Sequence, residues 1–153
     1  MRLAFIGFGE VASAFAAAFA ARSTDVAAYD VLIAQPGGIE RLNARSVGTK
    51  VAFRGLAEAL YGANYVLSTV TTSVAREAAR QCVPHLGAAQ TYVDMNATDP
   101  AVKVEIGRIV APSGAAFVEG AVLGAVGVTG AKTEIRWGVR TAGVRSASSG
   151  RSA

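Results

Sequence analysis

The chain has 153 residues, enough for one well-filled core, and its alanine-rich composition with 7% aromatics suits a parallel sheet covered by helices. One cysteine, Cys82, and one histidine, His85, exclude a disulfide framework, a cysteine-rich metal site and a histidine-cluster metal site. The net charge of +4 comes from Arg136, Arg140, Arg145 and Arg151, all after the last acid, Glu134; ahead of them 11 bases meet 11 acids, which gives no electrostatic case for nucleic acid.

Arg2 to Ile6 reads as a strand. It is followed by Gly7-Phe8-Gly9-Glu10-Val11-Ala12 and a helix through about Arg22. Asp25 to Tyr29 reads as a second strand, ending in Asp30. A GxGxxA turn after one strand, with an acid about twenty residues on after the next, is the spacing of a dinucleotide-binding unit. Gly7 permits the tight turn, Gly9 admits a pyrophosphate close to the backbone, and Ala12 lets the helix lie near the sheet. The free amides and the dipole of the first helical turn then face the phosphates. Asp30 is placed to accept hydrogen bonds from the adenosine ribose hydroxyls. Arg2, the apolar run and the small residues near Arg22 also resemble a signal peptide. Glu10 within that run and the placement of the glycines argue against that reading. No other apolar run reads as a membrane span, so the default expectation is a cytoplasmic protein.

After Asp30 come a Pro36-Gly37-Gly38 loop, a short helix from Ile39 to about Ala44, a short strand from Lys50 to Phe53, and a helix from Leu56 to Tyr61 with Gly62 beyond it. Asn64 to Thr69 reads as a buried strand. Thr71-Thr72-Ser73 supplies N-cap chemistry for a helix through about Cys82, which Pro84 stops. Thr91 to Asp94 is the next strand. Asp99-Pro100 opens a helix to about Val110, and Ala116 to Gly120 is a further strand. The expected fold is α/β: a Rossmann-type, doubly wound, mostly parallel sheet of about six strands with helices on both faces. Val11, Phe15 and Phe19 form a stripe that packs on the sheet, Cys82 is expected in the core, and His85 and Lys132 are expected at the surface.

Three later segments fall on the same sheet edge as the glycine turn: Val70-Thr71-Thr72-Ser73, Asp94-Met95-Asn96-Ala97-Thr98-Asp99-Pro100, and Glu119-Gly120-Ala121-Val122-Leu123-Gly124-Ala125-Val126. With Phe5-Ile6-Gly7-Phe8-Gly9-Glu10-Val11-Ala12 they resemble, in order and spacing, the cofactor domain of the β-hydroxyacid dehydrogenases, the family of 6-phosphogluconate and 3-hydroxyisobutyrate dehydrogenases. The resemblance covers about residues 1–133. It implies NAD(P)-dependent oxidation of a small hydroxy acid. It also implies that Gly7, Phe8, Gly9, Glu10 and Val11 hold the pyrophosphate, Asp30 the adenosine ribose, and Val70 and Thr71 the ribose on the nicotinamide side. Asn96 would lie near the nicotinamide, and Ala121, Val122, Leu123 and Gly124 would line the substrate. Leu123 stands where many members carry a substrate-binding serine. The family's catalytic lysine and all-helical domain follow this domain in longer members, so no catalytic residue is assigned here, and the chain alone is expected to bind cofactor without turnover.

The alternative is a non-catalytic NAD(H)-binding regulatory module; a third reading is a methyltransferase, whose glycine turn is usually less regular. Residues 134–153, rich in arginine, serine and glycine, are expected to form a disordered tail, either a basic tail for an acidic partner or the product of truncation or a frame shift. The apolar stretch from Val122 to Val128 would favour self-association. Asp30 lies where the 2′-phosphate of NADP would sit, and no arginine follows it directly, which favours NAD over NADP.

Overall fold

Leu3, Ala4, Phe5 and Ile6 are all buried, as a strand covered on both faces requires. They belong to β1 (Arg2–Ile6), at the centre of a seven-stranded sheet in the computed structural model, which describes residues 1–22, 24–123, 132 and 134–140. The other strands are β2 (Asp25–Tyr29), β3 (Val51–Phe53), β4 (Tyr65–Ser68), β5 (Thr91–Asp94), β6 (Ala116–Leu123) and β7 (Glu134–Arg140), and the order across the sheet is β3-β2-β1-β4-β5-β6-β7. The first six strands pair in parallel and β7 runs antiparallel to β6. The chain thus builds outward from β1 in one direction, returns, and builds outward in the other. A crevice opens between β1 and β4 where the direction changes.

Helices α1 (Glu10–Ala20), α2 (Gly38–Arg45), α3 (Leu56–Leu60), α4 (Ala75–Cys82) and α5 (Pro100–Val110) connect the strands. Strand residues alternate between two cores. Leu3, Phe5, Val26, Ala28, Leu67 and Val93 pack with Ala12, Phe15 and Ala16 of α1 and Leu42 of α2. Ala4, Ile6, Val66, Tyr92 and Phe117 pack with Leu60 of α3, Ala79 and Cys82 of α4, and Ile106 and Val110 of α5. Phe15 is buried and Val11 and Phe19 are partly buried against the same core, so the stripe read from the sequence is the packing face of α1. Each such large apolar side chain, when fully buried, stabilises the fold by about 1.5–3 kcal/mol. His85 and Lys132 are exposed, and no helix among the described residues is long and apolar enough to cross a membrane.

Three local expectations are corrected. The stretch read as N-cap chemistry, Thr71 to Ser73, leads into a 3-10 turn, Thr72–Val74, before α4, and no side chain caps α4; the Thr71 and Ser73 hydroxyls hydrogen-bond each other instead. β6 continues past Gly120 to Leu123. Glu134–Arg140, read as the start of a disordered tail, is β7, because β6 offers it a continuous ladder from Phe117↔Arg140 to Leu123↔Glu134. The sequence of this edge strand also alternates, with Ile135, Trp137 and Val139 between Glu134, Arg136, Gly138 and Arg140, and Ile135 packs on the core beside β6. Gly124 to Val128 and residues 141–153 lie outside the described residues.

Candidate functional site: a cleft at the carboxyl edge of the sheet

The glycine turn is built by two constraints. Gly7 has φ +80°, a conformation that side chains disfavour, and a Cβ there would come within 2.9 Å of Val70 Cγ1. Its amide donates to Tyr29 O at 2.9 Å, and the Thr69 hydroxyl donates to Gly7 O at 2.7 Å. The turn after β1 is therefore fixed to the end of β2 on one side and to the loop after β4 on the other. The Phe8 side chain points away from the cleft into the core, edge-on to Phe5 and Phe53, with ring centroids 6.2 and 5.0 Å away.

Gly9 precedes α1, and no side chain caps that helix. The amides of its first turn have no acceptor within the helix. A Cβ at Gly9 would meet nothing within 4 Å, so the space above this helix end is open to a ligand. Ala12 is fully buried, which lets α1 approach the sheet closely. Glu10 is exposed and Val11 half-buried.

Asp30 is half-buried, and both its oxygens accept backbone amides: Oδ2 from Phe8 at 2.8 Å and Oδ1 from Leu32 at 2.9 Å. The second bond caps the 3-10 turn Val31–Ala34. Arg45, from the end of α2, donates through Nη1 to Phe8 O at 3.1 Å. An acid and a base thus flank the same turn. The Arg41 side chain is engaged with Gln35, Pro36 and Gly37.

These groups surround a cleft of about 430 Å³. Its floor is Ile6 to Gly9, one side is Tyr29 to Val31 with Arg45, and the other is Thr69 to Thr71. Leu56 of α3, together with Val74 and Glu77, Ala78 and Gln81 of α4, forms the outer wall. Of the residues singled out in the sequence, Gly7, Phe8, Gly9, Asp30, Val70 and Thr71 line this one cleft, and Glu10 and Val11 begin the helix at its floor.

The remaining candidates lie further along the edge. Asn96 is buried just beyond β5. Ala121 and Val122 are strand residues of β6, opposite Arg136 and Ile135. Val122 packs on the core beside Val118 and Ile135, Leu123 ends β6, and Gly124 lies outside the described residues.

A second polar cluster was not read from the sequence. Lys103 of α5 and Asp94 at the end of β5 are both buried, with Nζ 2.5 Å from Asp94 Oδ2, 3.1 Å from Asp94 O and 3.0 Å from Gly120 O. The Asn96 side-chain amide donates to the other oxygen of Asp94. The available signal was spacing: Lys103, Ile106 and Val110 share one helical face, so this lysine sits in an apolar stripe. Burial pushes the Cys82 thiol up to about 12 and raises the Tyr92 hydroxyl as well, so neither is a ready nucleophile or base. No group of three or more potential metal ligands occurs among the described residues.

Comparison with known proteins agrees with this geometry. Residues 2–98 match the model of the family described as NADP oxidoreductase, coenzyme F420-dependent. A conserved hypothetical protein from Sinorhizobium meliloti 1021 superposes with a TM-score of 0.83 at 31% identity, covering 90% of this chain and 46% of that one. A conserved protein of unknown function, described as structurally similar to 3-hydroxyacid dehydrogenases, gives 0.75 at 33% identity, covering 90% and 49%. The fold is also that of Mycobacterium tuberculosis 3-hydroxyisobutyrate dehydrogenase, with a TM-score of 0.71 at 20% identity over 88% and 45% of the two chains. The chain spans about half the length of these structures. No curated protein matches.

Proposed function

Because the chain belongs to the family of coenzyme F420-dependent NADP oxidoreductases, we propose that it is the dinucleotide-binding domain of an oxidoreductase of the hydroxy-acid dehydrogenase type. The observation that carries this reading is the cleft at the switch point between β1 and β4, with an uncapped helix end and open space over Gly9 on its floor and Asp30 on its rim. In that reading the pyrophosphate lies at the amides of Gly9, Glu10 and Val11, the adenosine ribose at Asp30, and the second ribose beside Val70 and Thr71. When bound, the nicotinamide supplies hydride transfer. Ala121, Val122, Leu123 and Gly124 would line the hydroxy-acid substrate in a longer protein that completes the pocket. The 153-residue chain alone binds cofactor without turnover, since proton abstraction needs a group of tuned pKa within reach of the substrate hydroxyl.

NAD is the preferred form. A 2′-phosphate about 4 Å from the Asp30 carboxylate would be repelled by up to ~4 kcal/mol at an effective dielectric near 20, and by less where solvent screens it. Arg45 on the same rim moderates that repulsion. The test is a fluorescence titration of the chain with NADH and NADPH. Saturable binding, tighter for NADH, is expected. Tighter NADPH binding overturns the preference, and no binding of either at millimolar concentration overturns the whole reading.

A further inference from the structure

We propose that Lys103 is a positioning residue for the nicotinamide half of the cofactor site, acting through Asp94 on Asn96. The proposal rests on the dinucleotide reading above. A dinucleotide with its pyrophosphate at Gly9 and its adenosine at Asp30, on the β2 side of β1, extends its other half over β4 and β5. Asn96 lies at that end of β5. Its loop is tied to the cleft wall by the Thr72 hydroxyl, which donates to Ala97 O at 3.5 Å, next to Thr71.

A buried ion pair is by itself weak evidence of a stabilising role. Two desolvated charges are commonly replaced by packed apolar groups without loss, and this pair sits at the carboxyl edge of the sheet. Its geometry does two things instead. Lys103 has three donors, and all three have acceptors, two on Asp94 and one on Gly120. It therefore joins the end of β5 to β6 and has no donor left for a ligand.

Asp94, held in this way, takes the Asn96 side-chain N–H on its other oxygen. A carboxylate oxygen can only accept, so this contact fixes which way the Asn96 amide is turned. Asn96 Oδ1 has no hydrogen-bond partner among the described residues. It is the end available to accept from a donor such as the nicotinamide carboxamide N–H₂.

The test compares the affinity of the full chain for NADH with that for ADP-ribose, which lacks the nicotinamide. Lys103→Met is expected to lower the NADH-over-ADP-ribose preference roughly tenfold, the worth of one hydrogen bond to the ligand, while leaving ADP-ribose affinity unchanged. Asn96→Ala should do the same, and combining the two should add nothing. A merely structural role would weaken both ligands together. Where Lys103→Met does not fold, Lys103→Met/Asp94→Leu removes the whole pair along with the tether and should give the same loss of preference. An unchanged preference in the folded variant, additivity with Asn96→Ala, or failure of both variants to fold overturns the positioning role. Wild-type chain that binds neither ligand overturns the dinucleotide reading itself, and this proposal with it.

Discussion

Asp30 holds the amide of Phe8, with Oδ2 2.8 Å from the nitrogen, so the residue read as a sugar contact also fixes the phosphate turn. Its other oxygen holds Leu32 N. Hydrogen bonds to a charged group contribute roughly 1.5–3 kcal/mol each, less where solvent reaches them. Asp30→Ala is therefore expected to destabilise the ligand-free chain by about 1–3 kcal/mol, in addition to weakening NADH binding. Urea denaturation without ligand, followed by NADH titration of the folded variant, separates the two effects. A variant with unchanged stability and weakened binding would show that Asp30 serves the ligand alone.

The two glycines of the turn should respond differently to the same change. Gly7→Ala forces a side chain into φ +80° and against Val70, and is expected to destabilise the fold by about 1–3 kcal/mol. Gly9→Ala meets no protein atom, so its effect on stability should stay within about 0.5 kcal/mol. Its methyl group would instead stand where the pyrophosphate approaches the backbone, and NADH affinity should fall at least about tenfold. Thermal melts paired with NADH titrations distinguish these outcomes. Gly9→Ala that binds NADH like wild type would remove the phosphate from this turn.

Arg45 bears on the competition between NAD and NADP, because it lines the cleft on the same rim as Asp30. Removing it takes away a positive charge on the Asp30 rim that a 2′-phosphate would exploit more than the pyrophosphate common to both cofactors. Arg45→Ala is expected to weaken NADPH by several-fold, about 1 kcal/mol, and NADH much less. The NADPH difference should shrink as salt rises. Equal loss of both cofactors would mean that Arg45 acts only by holding Phe8 O.

The first β-α-β unit was legible because its signals are local. A buried apolar run, a turn that only glycine can make at Gly7, and an acid ending the next strand all lie within thirty residues. What escaped depends on partners distant in sequence. β7 does alternate Ile135, Trp137 and Val139 with Glu134, Arg136, Gly138 and Arg140, a signal too short to stand out against the arginine-, serine- and glycine-rich residues after it; the ladder with β6 is what identifies it as a strand. Lys103 shares a helical face with Ile106 and Val110, but only the packing of that face on the sheet brings its ammonium to Asp94. Thr71 looked like a helix cap because hydroxyls favour that position, yet its partner is the Ser73 hydroxyl.

Cys82 gives the fold a definite alkaline sensitivity. Burial raises its pKa from 9.0 to about 12, so the folded chain keeps the thiol proton after the unfolded chain has lost it. Above pH 9 the unfolded state then binds fewer protons, and the sign follows: stability is undiminished below the unfolded value and declines as pH rises through the window from 9.0 to about 12. One group of this kind gives a slope approaching ~1.4 kcal/mol per pH unit within the window. Tyr92, also raised by burial, adds in the same direction only above the ordinary phenol value of 10.0. Urea denaturation between about pH 8 and 10 should therefore show a downward slope in wild type that is largely absent in Cys82→Ala, whatever that variant loses in stability at neutral pH. Parallel slopes in the two proteins would mean that the thiol is not protected in solution as it is in the packed interface between α4 and the sheet.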